Sequence, residues 1–199
     1  MIFLLRHGEV HSGEEKRFIG WTDVPLNETG IRQAEAWRRA LSDIAFERIY
    51  CSDLSRAKQS AEIIGERRRQ DITVLPALRE INLGELENLS MRHVRERFPE
   101  KWQQRGENIM TYRPNHGENF SDLRDRALPA FLHIVAEMKA TVLVVGHAGV
   151  NRMILCHILG MPTENLFRLG QNFACLNKID CRTKPYRAVA INVGLPADA

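Results

Sequence analysis

The sequence predicts an α/β fold, a three-layer α/β/α sandwich built around a mostly parallel central sheet. Three observations carry this. Short apolar runs of strand length alternate with longer segments of helical periodicity, the order expected when helices cover both faces of a parallel sheet. The runs Ile2 to Leu5 and Val142 to Val145 are apolar at every position, as strands buried on both faces are. With 199 residues, 44% of them hydrophobic, and no linker, repeat or low-complexity tract, the chain can bury one sizeable core, so a single domain over 1–199 is expected.

Strands are expected at about 2–5, 47–51, 72–75 and 141–145, and helices at about 30–41, 55–68, 121–138 and 149–159. Asn27 with Gly30 marks the start of the first helix, which buries Ile31, Ala34, Trp37 and Leu41. Ser55 is expected to cap the second, whose inner stripe is Ala57, Ala61 and Ile64. Ser121 marks the start of the third, with Leu123, Ala127, Phe131, Ile134 and Met138 facing the core and Pro129 kinking it. The last helix turns Val150, Met153, Ile154, His157 and Ile158 inward. Segments near 174–179 and 187–193 read as edge strands. The stretch 88–120, with Trp102 among many Arg and Glu, reads as a mostly helical insertion over the active site that would set selectivity, or equally as plain surface cover.

Arg6-His7-Gly8-Glu9 follows the first apolar run directly, so a guanidinium and an imidazole emerge at the carboxyl end of a strand, where open α/β sheets place ligands. A lone histidine is more often packed or solvated than functional. Here three further segments converge on the same chemistry. Arg56 falls in the first turn of the second helix, beside free backbone N–H groups, and adds a second guanidinium. His147 ends the apolar strand 141–145 in a Gly-His-Ala-Gly turn. Glu80, Glu85 and Glu87 lie in the glycine-containing connection Leu78 to Glu87. A phosphate monoester is dianionic near neutral pH, and two fork-shaped guanidiniums hold such a group bidentately as lysine does not. With an ordinary pKa near 6.5, an imidazole at pH 7 is largely neutral and nucleophilic, and needs no base to activate it.

The motifs RHGE at 6–9, SDLSRAKQSA around Arg56, LREINLGELE around Glu80 and GHAGVNR at 146–152 together resemble the histidine phosphatase, or phosphoglycerate mutase-like, superfamily in order and spacing, over Met1 to about Asp180. GWTDVPLNETGIRQA at 20–34 and the run 146–171 look most like its alpha-ribazole phosphatase branch. The resemblance implies a phosphoglycerate mutase-like fold and a phosphomonoesterase acting on a small phosphorylated metabolite. His7 would take the phosphoryl group and Glu80 would protonate the leaving oxygen, with Glu85 and Glu87 as lesser candidates. Arg6, Arg56 and His147 would form a cationic ring around the phosphate, with Gly20 and Ala148 also lining the substrate site. Burial or the bound dianion would have to keep Glu80 protonated. No metal and no cofactor is expected, since the arginines supply charge neutralisation; a homodimer is left open. Val10 stands where many relatives carry Thr or Ser, Lys16 where mutases carry Asn, and Ala148 replaces a glycine. The first two departures weaken a mutase reading more than a phosphatase one, and the chain is shorter than mutases usually are.

Other classes fit less well. Cys51 and Arg56 enclose four residues where a cysteine phosphatase needs five. HGEVH at 7–11 has its glutamate at the wrong place for HExxH and follows a strand. No GxxxxGK[ST] occurs. Net charge is only +3, and Arg67 to Arg69 lack interleaved aromatics, so no nucleic-acid partner is expected. Four scattered cysteines without a CxxC pair, no basic leader and no apolar run of about 20 residues point to a cytoplasmic protein that neither enters nor crosses a membrane. A catalytically silent binding protein on the same fold would not need all five of these side chains.

Overall fold

A computed structural model describes residues 1–10, 15–66 and 72–196. Six strands, β1 (Ile2–Arg6), β2 (Arg48–Cys51), β3 (Ile72–Val74), β4 (Val142–Gly146), β5 (Leu176–Asp180) and β6 (Arg187–Val193), form one sheet in the order β3-β2-β4-β1-β5-β6. The first four are parallel; β5 is antiparallel to β1 and β6 to β5. The helices are α1 (Glu28–Ala40), α2 (Ser55–Gly65), α3 (Met91–Arg97), α4 (Pro99–Glu107), α5 (Phe120–Glu137) and α6 (Ala148–Leu159).

Alternate side chains of a strand point to opposite faces, which divides the core in two. Ile2, Leu4, Val142 and Val144 pack with Leu123, Phe131 and Ile134 of α5 and with Val150, Met153 and Ile154 of α6. Phe3, Leu5, Leu143 and Val145 pack on the other face with Trp37 of α1, Leu41, and Ala57 and Ala61 of α2. The result is the three-layer α/β/α sandwich. Each fully buried Leu, Ile or Val side chain contributes roughly 1.5–3 kcal/mol, so apolar burial on both faces fixes the carboxyl ends of β1 and β4. Their register pairs Arg6 with Gly146, and the His7 N–H donates to the Gly146 carbonyl at 3.1 Å. His7 and His147 therefore leave the sheet side by side.

Several local expectations are corrected. Asn27 does cap α1, accepting from the Gly30 N–H at 2.8 Å, but Ile31 is exposed while Ala34, Trp37 and Leu41 are buried. Ser55 is the first residue of α2 rather than its cap: Asp23 accepts from both its backbone N–H and its hydroxyl, each at 2.7 Å. Asn119, in a reciprocal capping box with Asp122, starts α5 two residues before Ser121. Helix α5 runs on through Pro129, which sits on its exposed face, and Met138 is its half-buried C-cap. His157 points to solvent in the last turn of α6, where a basic group suits the helix dipole. Strand β5 is not an edge: it pairs with both β1 and β6, and β6 alone is the edge on that side. The second helix ends at Gly65 among the described residues; positions 67–68, the Arg67 to Arg69 run and His11 lie outside them. Segment 88–120 contains α3 and α4, tied to the loop before α1 by the Arg17–Ser90 bridge and the Phe18–Trp102 ring contact at 6.4 Å. Among the described residues no helix is long and apolar enough to cross a membrane.

Candidate active site

Arg6 ends β1 with its guanidinium stacked 3.8 Å over the Phe173 ring and one Nη donating to the Gln171 carbonyl at 2.6 Å. Its Nε is buried without a partner among the described residues. Burial lowers its pKa to about 10 against the opposing pull of Glu80, which leaves it cationic at neutrality. Beneath it Gln171, Asn151 and Asn177 form a buried amide network: Gln171 accepts from Asn151 at 3.2 Å and donates to Asn177 at 2.8 Å, while Asn177 donates to the Leu4 carbonyl at 2.9 Å.

Arg56 is almost fully buried, which for a guanidinium demands partners. It donates to the Thr22 carbonyl at 2.9 Å and the Gly20 carbonyl at 2.6 Å. Gly20 is in the left-handed region at φ +55°, and a Cβ there would strike the Glu87 carboxylate. What the structure shows of Gly20, expected beside the substrate, is this anchoring of Arg56.

His7 is buried, with its ring centroid 5.1 Å from that of His147 and 5.7 Å from Phe173. Its Nδ1 lies 2.7 Å from the Gly8 carbonyl. A carbonyl only accepts, so Nδ1 carries the proton and Nε2 keeps the free lone pair. Burial, then the Arg56 and Arg6 charges, holds its pKa well below 6.5, and the ring is neutral. His147, fully buried, is the N-cap of α6, and Ala148 opens the helix with a backbone N–H that has no partner within it. Burial, then Arg56, His7 and Arg6, pushes His147 down in the same way. The expected cationic ring is thus two cations and a neutral imidazole.

Both histidines titrate near 6.5 when unfolded and far lower when folded. Below pH 6.5 the unfolded chain therefore binds more protons, so their contribution to stability is intact above that pH and lost as pH falls beneath it. The slope is about 1.4 kcal/mol per pH unit for each ring. Denaturant titrations at about pH 7.5 and about pH 5.5 should show the loss, with a shallower dependence in His147→Gln. Equal slopes in the two proteins would contradict burial of a neutral His147.

Glu80 stands near enough to Arg6 and Arg56 for its charge to act on both guanidiniums. Its carboxylate accepts from the Gly149 N–H at 3.0 and 3.1 Å and from its neighbour Ile81 at 2.9 Å, at the amino end of α6. A side chain at Gly149 would collide with it. Its carbonyl accepts from Trp21 Nε1 at 2.6 Å and Arg126 at 2.8 Å. Arg126 also donates to the Ala77 and Arg79 carbonyls and pairs with Glu118 through two 2.7 Å contacts, fastening the loop to α5. Glu85 and Glu87 are used elsewhere. Glu85 pairs with Lys101 at 2.8 Å; Glu87 accepts from the Trp21 and Leu83 N–H groups and the Thr22 hydroxyl. The structure thus brings Arg6, His7, Arg56, Glu80, His147 and Ala148 to one edge and sets the other two carboxylates aside. Cys51 is buried, its thiol pushed up to about 12, the opposite of a nucleophilic thiolate. Trp21, Ser52, Arg126, Gln171 and Phe173 surround this group without having been singled out from the sequence.

Two cations converging with two neutral imidazoles and a carboxylate at the switch point of a doubly covered sheet define an enzyme site for a small anionic group. The chain belongs to the histidine phosphatase superfamily (branch 1), whose sequence profile matches residues 2–194. It is 28% identical over 192 residues, 92% of this chain and 91% of the other, to the adenosylcobalamin/alpha-ribazole phosphatase of Escherichia coli K12. It is 32% identical over 193 residues, covering 94% and 87%, to a probable phosphoglycerate mutase GpmB of Yersinia pestis. Among solved structures, a mycobacterial glucosyl-3-phosphoglycerate phosphatase in complex with VO3 superposes with a TM-score of 0.86 at 27% identity, over 97% of this chain and 98% of the other. The chain is a phosphatase of this superfamily.

Proposed function

We propose that the chain is a phosphomonoesterase working through a phosphohistidine at His7, with alpha-ribazole 5'-phosphate, the substrate class in the Escherichia coli relative's name, as its substrate. The observation that carries the mechanism is the Nδ1 contact of His7 with the Gly8 carbonyl, which leaves the lone pair on Nε2 of a neutral ring that feels the charges of both Arg56 and Arg6. Nε2 attacks phosphorus as the bond to the alcohol oxygen breaks, and Glu80 gives that oxygen its proton. Arg6, Arg56 and His147 hold the equatorial oxygens, and their preset positions lower the barrier as charge redistributes. Water then attacks the phosphohistidine, Glu80 takes the water's proton, and His7 is restored.

The test is release of inorganic phosphate from alpha-ribazole 5'-phosphate, phosphoglycerates and fructose bisphosphate, without a bisphosphorylated primer. Hydrolysis of the monoesters is expected, with the highest kcat/KM for alpha-ribazole 5'-phosphate. Rapid interconversion of 2- and 3-phosphoglycerate with negligible phosphate release would overturn the reading in favour of a mutase.

Glu80→Gln is expected to separate good from poor leaving groups. An alkyl phosphate should slow on the order of 10²-fold more than p-nitrophenyl phosphate, whose departing oxygen needs no proton. Rate constants at saturating substrate carry the comparison, because charge loss also changes binding. Equal slowing would remove Glu80 from the role of acid.

A further inference from the structure

Ser52 follows the last residue of β2, and the parallel pairing of Cys51 with Val145 sends Ser52 and His147 out of the same sheet edge. Both are fully buried, and Ser52 Oγ lies 2.6 Å from His147 Nε2, its sole side-chain partner among the described residues. The other ring nitrogen, Nδ1, is buried with no partner among the described residues. The next residue, Asp53, is paired through both carboxylate oxygens with Arg79, which fixes the backbone that presents the hydroxyl.

We propose that Ser52 is a positioning residue that holds His147 as an Nδ1–H donor aimed at the phosphoryl oxygens. A neutral imidazole has one N–H and one lone pair, so the 2.6 Å contact admits two arrangements. If Nε2–H donated to Ser52, the buried hydroxyl proton would be without an acceptor, and Nδ1 would turn a lone pair toward a dianion. If the hydroxyl donates to Nε2, every proton at this contact has a partner and Nδ1–H remains free for an anionic oxygen. An unsatisfied buried polar group costs about 1–3 kcal/mol, enough to decide between them. The open Nδ1 is then the donor that an incoming phosphate completes. The role in turnover rests on the phosphomonoesterase reading above; the tautomer does not.

Long-range proton–nitrogen correlation spectra of the ligand-free protein test it, the His147 signals being assigned by their loss in His147→Gln. The expected result is a proton on Nδ1 in the native chain and a mixture of tautomers in Ser52→Ala. With a phosphomonoester substrate, Ser52→Ala should lose about tenfold in kcat/KM, the larger share in kcat, and lower the unfolding midpoint by roughly 2–10 °C because His147 Nε2 loses its buried partner. A native His147 protonated on Nε2, or a Ser52→Ala protein with unchanged tautomer and turnover, would overturn the proposal. The native spectrum decides even if the variant does not fold. A chain inactive toward every phosphomonoester but showing Nδ1–H would overturn the functional reading while supporting the assignment to Ser52.

Discussion

Replacing His7 with alanine is expected to lower kcat toward p-nitrophenyl phosphate on the order of 10⁵-fold, the scale of losing a nucleophile that works as part of a unit. Among the described residues no other group within the site can stand in for it. Cys51 is buried with its thiol at about 12, and His147 has Nε2 occupied by Ser52. The loss should fall on kcat, since Arg6 and Arg56 remain to bind the phosphate. Initial rates at saturating substrate measure it, and retention of more than about a hundredth of native turnover would be incompatible with covalent catalysis at this position. The variant should also lose less stability than the native chain when acidified, because one ring buried in neutral form is gone.

Arg56→Ala is expected to cost on the order of 10³-fold in kcat/KM, the upper range for removing one preorganised donor to developing charge. It should destabilise the fold as well, by about 3–5 kcal/mol, because the substitution empties a fully buried site and strands the Thr22 and Gly20 carbonyls. Arg56→Lys is the sharper variant. An ammonium keeps the charge but cannot reach both carbonyls and a phosphate oxygen together, so activity should fall nearly as far as in the alanine variant. Near-native kcat/KM in Arg56→Lys would show that charge alone suffices and that the fork geometry does not matter.

The layers of the fold are legible because Ile2 to Leu5 of β1 and Val142 to Val145 of β4 are apolar at every position and the α5 stripe from Leu123 to Ile134 keeps helical spacing. Strand β5, expected at an edge, has polar residues at three of its five positions. Asn177 is nonetheless buried, its amide satisfied by the Leu4 carbonyl and Gln171, a compensation local periodicity does not reveal. The cap of α2 was misplaced for a similar reason: the capping group, Asp23, comes from a loop 32 residues away. Arg6, His7, Arg56 and His147 could be read because each sits at a strand end or helix start flanked by apolar runs. Choosing among Glu80, Glu85 and Glu87 could not be done from one loop. It depends on the Gly149 N–H, Lys101 and Trp21, which only the folded chain brings to these carboxylates. His147's neutrality was likewise beyond the sequence, because burial and Arg56 act on it through space.

The central claim, a covalent phosphoryl group on His7, is most directly tested by trapping it. Native protein mixed briefly with a radiolabelled phosphomonoester and quenched in alkali should carry label on the peptide containing His7, stable to base and lost in acid as a phosphoramidate is. His7→Ala treated in the same way should carry none. A label that survives acid but not alkali, or one that persists in His7→Ala, would place the phosphoryl group on another side chain and contradict the account.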